Sequence, residues 1–269
     1  MQDPQASINW SYMQKKDVVE ILEEFKHQME WNDGEQILDI GCGLADVTIS
    51  VIYPMLPPRS VLVGIDVCDD MIDFCKKFKM RDRVRYHLLD IQQPELTTEW
   101  DYETFDKIFS FSCLHWVKDY SQAMSNIYNL LKLNGDVLLL FLTPDNPVHL
   151  AFQQLNLSPR WRTFFRDVTW FYATDDPISF IQTKLRVVGF QAIRCFPKVR
   201  HSDYHSWEAF MELVRAVNPY TRVLPEELQQ HCLNDVSEVL KQQRHVFQNP
   251  DTGAVMMEYN VIVAMAKKT

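Results

Sequence analysis

Three acidic residues sit where short apolar runs end, and one of them, Asp39, stands just before a glycine pair. Asp39 stands in Leu38-Asp39-Ile40-Gly41-Cys42-Gly43, Asp66 closes Val63-Gly64-Ile65-Asp66, and Asp90 follows Leu89 and precedes Ile91. Glycines directly after a strand let the backbone turn sharply and approach a ligand closely. A carboxylate at the next strand's end can accept hydrogen bonds from ribose hydroxyls. An acidic residue followed by an apolar one can meet an adenine edge, so the set describes a nucleoside crevice. A dinucleotide fits it poorly, because Asp39 occupies the place where a pyrophosphate would sit and like charges repel strongly away from water. A ligand that is cationic there, such as the amino group of a methionine moiety, suits the same carboxylate. The order Asp-x-Gly-x-Gly therefore favours S-adenosylmethionine over NAD.

Such residues need elements to hold them, and the chain alternates strand and helix signals in the required order. Residues 15–30 carry Val18, Val19, Leu22 and Phe25 at helical spacing. Strands are expected at 36–40, 61–65, 84–88, 105–111 and 137–142, with helices at 45–53, 69–78 and 120–131 between them. Pro54–Pro58 and Asn134-Gly135 supply the breaks. This alternation is the signature of a parallel sheet with crossover helices. Past Thr143 the pattern turns irregular and aromatic, with Trp161, Phe164, Phe165, Trp170, Phe171 and Tyr172. A helix at 177–188 and strands at 191–196 and 259–266 resume the core, and helices at 205–217 and 225–244 lie between the last two. The expected organisation is a single domain with its core at about 30–143, 177–199 and 256–269. Segments 144–176 and 200–255 are read as a cap over the carboxyl ends of the strands, where open α/β sheets bind ligands.

Composition narrows the partners. The 269 residues carry a formal charge of −9, so a nucleic-acid backbone, which demands clustered Lys and Arg, is excluded as substrate. The first residues show no secretory pattern, and the longest apolar stretch, near 137–142, is too short to span a bilayer. Cys42, Cys68, Cys75, Cys113, Cys195 and Cys232 show neither C-x-x-C nor metal-type spacing. They read as reduced thiols in a cytoplasmic protein that binds no metal. Dimerisation of the chain is left open.

The three acidic motifs resemble the successive cofactor motifs of class I methyltransferases. A closer resemblance, to the insect juvenile hormone acid O-methyltransferases, rests on Met13-Gln14-Lys15-Lys16-Asp17, Cys113-Leu114-His115-Trp116-Val117, 126–132 and 263–268. It covers almost the whole chain and is firmest from about 13 to 142. It implies a Rossmann-like α/β fold, with a mixed seven-stranded sheet, helices on both faces and a mostly helical cap. It also implies S-adenosylmethionine as cofactor and the carboxylate of a sesquiterpenoid acid, such as juvenile hormone acid or farnesoic acid, as acceptor. Asp39, Gly41, Cys42, Gly43, Asp66, Val67, Asp90, Ile91 and Ser110 would then hold the cofactor. Gln14, His115 and Trp116 would face the acceptor, with Gln14 and Trp116 orienting its carboxylate. One departure is that Ala45 occupies the third small position of the usual Gly-x-Gly-x-Gly.

Methyl transfer to a carboxylate needs no general base, because the acid is already ionised near neutral pH. The work is positioning and exclusion of water, for which the uncharged N–H donors of Gln14 and Trp116 are suited. Plainer roles stand beside these. Trp116 serves equally as a plug at a sheet's end, His115 as a packing residue, and Gln14 as part of a solvated helix face. The competing functions are methylation of a fatty or trans-aconitate-type acid, and a non-catalytic methyltransferase-fold carrier.

Overall fold

The structure is a computed structural model that describes residues 4–94, 96, 101–166, 168, 174–218 and 220–269, with side chains from residue 15 onward except at 217. Among the described residues the sheet holds eight strands: β1 (Gln36–Ile40), β2 (Val61–Asp66), β3 (Val84–Leu88), β4 (Phe105–Phe111), β5 (Leu131–Leu142), β6 (Gln191–Tyr204), β7 (Val246–Gln248) and β8 (Val255–Lys267). Seven follow one path, β3-β2-β1-β4-β5-β8-β6, and β7 adds to β8 in antiparallel register, one strand more than expected. The first five strands pair in parallel, with Asp39 beside Gly64 on one side and Phe109 on the other. Order reverses at β1, whose neighbours are β2 and β4, and such a switch point opens a crevice beyond the strand ends.

The helices are α1 (Pro4–Phe25), α2 (Asp69–Phe78), α3 (Tyr120–Leu130), α4 (Pro147–Asn156), α5 (Arg162–Phe165), α6 (Pro177–Val188), α7 (Trp207–Val217) and α8 (Glu226–Lys241). Contacts divide the chain into two compact units. One comprises 14–141, 174–197 and 262–269; the other comprises 1–13, 142–173 and 198–261. In the first unit the central strands are apolar nearly throughout, as strands covered on both faces must be. A buried ion pair interrupts them: Lys107 Nζ lies 2.7 Å from both Glu35 oxygens and 4.7 Å from the Trp31 ring centre. The second unit packs its own aromatic cluster, in which Phe152 and Tyr220 stack at 4.8 Å and Phe165 meets Tyr220 edge-on. Among the described residues no helix is long and apolar enough to cross a membrane.

Several elements differ from expectation for identifiable reasons. The first helix begins at Pro4 and ends at Phe25, followed by a 3₁₀ turn, Lys26–Gln28. It buries Val18, Ile21, Leu22 and Phe25, while Val19 is turned outward. The helix expected at 45–53 is present with different winding, a π-helical turn at Thr48–Ile52 followed by a 3₁₀ turn at Tyr53–Met55. Helix α3 passes straight into β5 at Leu131, because Leu131 pairs with Phe105 and a register shift absorbs residues 132–135. Strand β6 runs well past its expected end to Tyr204, β8 starts earlier than expected at Val255, and the paired β7 was not anticipated.

Candidate active site

The glycine loop is held by its neighbours before any ligand is considered. Gly41 N–H and Cys42 N–H both donate to Ile65 O, at 2.8 and 3.0 Å, so the loop closes onto β2. Gly41 and Gly43 adopt φ of +74° and +53°, values that disfavour a side chain. The two have different surroundings. A Cβ on Gly41 would fall well inside 3.0 Å of Cys113 Sγ and Cβ, whereas one on Gly43 would meet nothing within 4 Å. Gly41 is therefore a packing glycine beneath the end of β4, and Gly43 opens a cradle. Ala45 is fully buried at φ +58°, so the departure from a third glycine is accommodated at some backbone strain.

Each acidic residue has a distinct electrostatic setting. Asp39 is buried, and Thr48 Oγ1 donates to its Oδ2 at 2.6 Å. Burial, reinforced by the charge of Asp66 and opposed by the Thr48 hydrogen bond, raises its pKa to about 7. Asp66 accepts from Gly43 N–H at 3.0 Å and from Cys68 N–H at 2.9 Å, bridging the loop to the start of α2. Burial raises its pKa as well, against the pull of those N–H groups. Asp90 accepts from the backbone and side-chain N–H groups of Gln92, at 3.0 and 3.2 Å. Ile91 is buried beside it and Val67 is exposed. Ser110 is wholly buried, and its hydroxyl donates to Ile40 O at 3.1 Å, tying β4 to β1.

The residues expected to face an acceptor are placed as follows. Leu114–Trp116 form a 3₁₀ turn directly beyond β4, with His115 buried and its ring 5.1 Å from that of Trp116. Trp116 is half-buried. The backbone of Gln14 lies in α1, and its side chain falls outside the described residues, as do Trp170, Phe171 and Tyr172. Trp161 and Phe165, from the aromatic run within the expected cap segment 144–176, are core residues of the second unit, and Trp161 Nε1 donates to Asp235 at 2.8 Å. That unit has a separate cleft of about 1160 Å³, lined in part by Asp145, Gln154, Arg244 and Glu258; none of the residues singled out in sequence lines it. Sequence reasoning missed Thr48, Cys113 and Gln92. Only Cys113 had a signal, its place in the Cys113–Val117 motif.

A methyltransferase domain model matches residues 38–137, the span carrying all three acidic motifs. The juvenile hormone acid O-methyltransferase of Drosophila melanogaster is 32% identical, over 96% of this chain and 89% of its own length. The chain belongs to the juvenile hormone acid O-methyltransferase family. Solved structures agree on the fold. A methyltransferase from Bacillus halodurans superposes with a TM-score of 0.58 at 18% identity, covering 92% of this chain and 98% of its own. Phosphoethanolamine N-methyltransferase 2 of Haemonchus contortus, solved with S-adenosyl-L-methionine, gives 0.54 at 17% identity, over 92% of this chain and 51% of its own. As a member of this family the protein is a methyltransferase that uses S-adenosylmethionine. The site fits that group: the buried Asp39 carboxylate, bonded to the Thr48 hydroxyl and paired with no cation among the described residues, suits a cationic ligand, and Gly43 leaves room for it.

Proposed function

We propose that this enzyme converts the carboxylate of a small apolar acid, of the sesquiterpenoid juvenile hormone acid or farnesoic acid type, to its methyl ester. The observation that carries the reading is the near full-length likeness to the Drosophila enzyme, whose name states that acceptor. The site chemistry supports it. Asp39, Gly41, Cys42 and Gly43 would cradle the methionine end of S-adenosylmethionine. Asp66 and Val67 would hold its ribose, Asp90 and Ile91 its adenine, and Ser110 would brace the floor between β1 and β4. When bound, the cofactor supplies an activated methyl group on a sulfonium.

The acceptor's carboxylate is ionised near neutral pH, so no residue has to remove a proton. His115, buried against Trp116, then serves packing and not base catalysis. Trp116 would donate its indole N–H to one carboxylate oxygen and Gln14 its amide N–H, fixing the other oxygen in line for attack. Neutral donors orient a carboxylate without drawing off its charge as a guanidinium would. All six cysteines are unbridged, which supports a reducing, cytoplasmic setting.

Incubation with labelled S-adenosylmethionine and a panel of farnesoic, juvenile hormone, palmitic and trans-aconitic acids tests the substrate class. Ester formation should be fastest with the sesquiterpenoids; preference for trans-aconitate, or no ester with any acid, would overturn the reading. Trp116→Phe and Gln14→Ala should each slow single-turnover transfer by about a hundredfold, the order of effect of misplacing reacting atoms by about 1 Å. Affinity for S-adenosylhomocysteine should be nearly unchanged in both.

A further inference from the structure

A closed ring of hydrogen bonds joins the loop after β3 to the turn that carries Trp116. Gln92 stands at its centre. Its Nε2 donates to Asp90 Oδ2 at 3.2 Å, and its Oε1 accepts from Lys118 N–H and Asp119 N–H, both at 3.1 Å. Asp119 caps α3 by accepting from Gln122 N–H at 2.9 Å, and Gln122 Nε2 donates to Asn126 Oδ1 at 2.9 Å. Asn126, which is buried, returns the ring to the loop by donating to Ile91 O at 2.7 Å and Gln93 O at 2.8 Å. Chemistry decides how both amides point. The oxygen of Gln92 meets two donors and its nitrogen a carboxylate, while the nitrogen of Asn126 meets two carbonyls. A flip of either would set like against like.

We propose that Gln92 is a positioning residue through which occupancy of the cofactor site at Asp90 and Ile91 orders the turn 114–119 to receive the acceptor. This rests on the reading that Trp116 faces the acceptor. Asp90 and Ile91 border the adenine position, so a ligand that fixes Asp90 also fixes the Gln92 amide. Gln92 then pins the two backbone N–H groups immediately after Val117, where the 3₁₀ turn hands over to α3. The coupling passes through one side chain with three hydrogen bonds rather than through a rearrangement of the sheet. Linkage makes it reciprocal: whatever factor the cofactor adds to acceptor affinity, the acceptor returns to cofactor affinity.

Backbone hydrogen exchange tests the ring without needing a substrate. In the parent, S-adenosylhomocysteine should slow exchange at 43, at 66–68 and also at 117–119. In Gln92→Leu it should still slow exchange at 43 and 66–68 but leave 117–119 unchanged. Gln92→Glu keeps an acceptor for the two N–H groups and loses the donor to Asp90. Its turn should stay protected in the free protein yet no longer respond to S-adenosylhomocysteine. A response at 117–119 that survives in either variant, or is missing in the parent, overturns the proposal. In a second measurement, S-adenosylhomocysteine should tighten farnesoic acid binding by about fivefold or more in the parent, the usual lower range of such couplings, and not in either variant. If the parent binds none of the panel acids while exchange behaves as stated, the ring stands and the carboxyl-methylation reading falls.

Discussion

Replacing Gly41 with alanine separates the structural duty of the cofactor loop from its binding duty. Two costs add at this position. The backbone sits at φ +74°, a region that costs a residue with Cβ about 1–2 kcal/mol. The new methyl would also fall well inside 3.0 Å of Cys113 Sγ and Cβ, and overpacking of a filled site costs about 1–3 kcal/mol. Gly41→Ala should therefore lose about 2–5 kcal/mol of a total stability on the order of 5–15 kcal/mol. Gly43→Ala pays only the first of these costs, since nothing lies within 4 Å of its added Cβ, and its damage should appear in S-adenosylhomocysteine affinity. Urea unfolding measures the losses, and a double-mutant cycle identifies their source. Cys113→Gly removes both offending atoms and leaves Cys113 Cα at 3.7 Å, an ordinary contact. The cycle should return a coupling of about 1–3 kcal/mol, the overpacking share alone. Additivity within about 0.5 kcal/mol would refute the claim that Cys113 is what Gly41 makes room for.

Asp39 makes stability pH-dependent in an unusual direction for a carboxylate. Between 3.8 and about 7 the native chain keeps a proton that the unfolded chain has released, so stability should fall as pH rises through that window and level off above it. Asp39→Asn should flatten the fall in urea titrations at pH 5 and pH 8, and an unchanged slope would exonerate Asp39. Lys107→Met should cost about 3–5 kcal/mol by leaving Glu35 charged and buried, and Lys107→Met with Glu35→Gln should recover part of it; equal losses in the two proteins would deny the pair its role. Because Asp39, Asp66 and Asp90 surround the crevice, the anionic acceptor should bind after the cationic cofactor. S-adenosylhomocysteine would then inhibit competitively against S-adenosylmethionine and non-competitively against the acid, and the reverse pattern would contradict the order.

The core was legible because its signals are local. β1, β3, β4, α2 and α6 have the bounds read from sequence, each marked by a short apolar run or an N-cap with a following helical period. The misses lie where tertiary contacts override local pattern. Asn134-Gly135 looks like a helix stop, yet the chain has already become a strand at Leu131, drawn by its pairing with Phe105 and by Asn134 N–H donating to Lys268 O at 2.7 Å. Aromatic residues at 161–165 carry no mark that tells a pocket wall from a core; burial makes Trp161 and Phe165 core, while Phe164 is only half-buried.

At the site the same division holds between what sits on one strand end and what meets from afar. Asp39, Gly41, Gly43, Asp66 and Asp90 could be read because each falls at a strand terminus, a place defined by the run before it. Gln92 could not, since an amide two residues past an acidic motif is unremarkable until Lys118 and Asp119, 26 and 27 residues away, present their N–H groups to it. Thr48 was hidden differently: it reads as a helix residue, and the π-helical turn places its hydroxyl against Asp39. That single hydrogen bond offsets part of what burial does to the carboxylate. The proton balance of the site thus depends on backbone winding that hydrophobic periodicity does not encode.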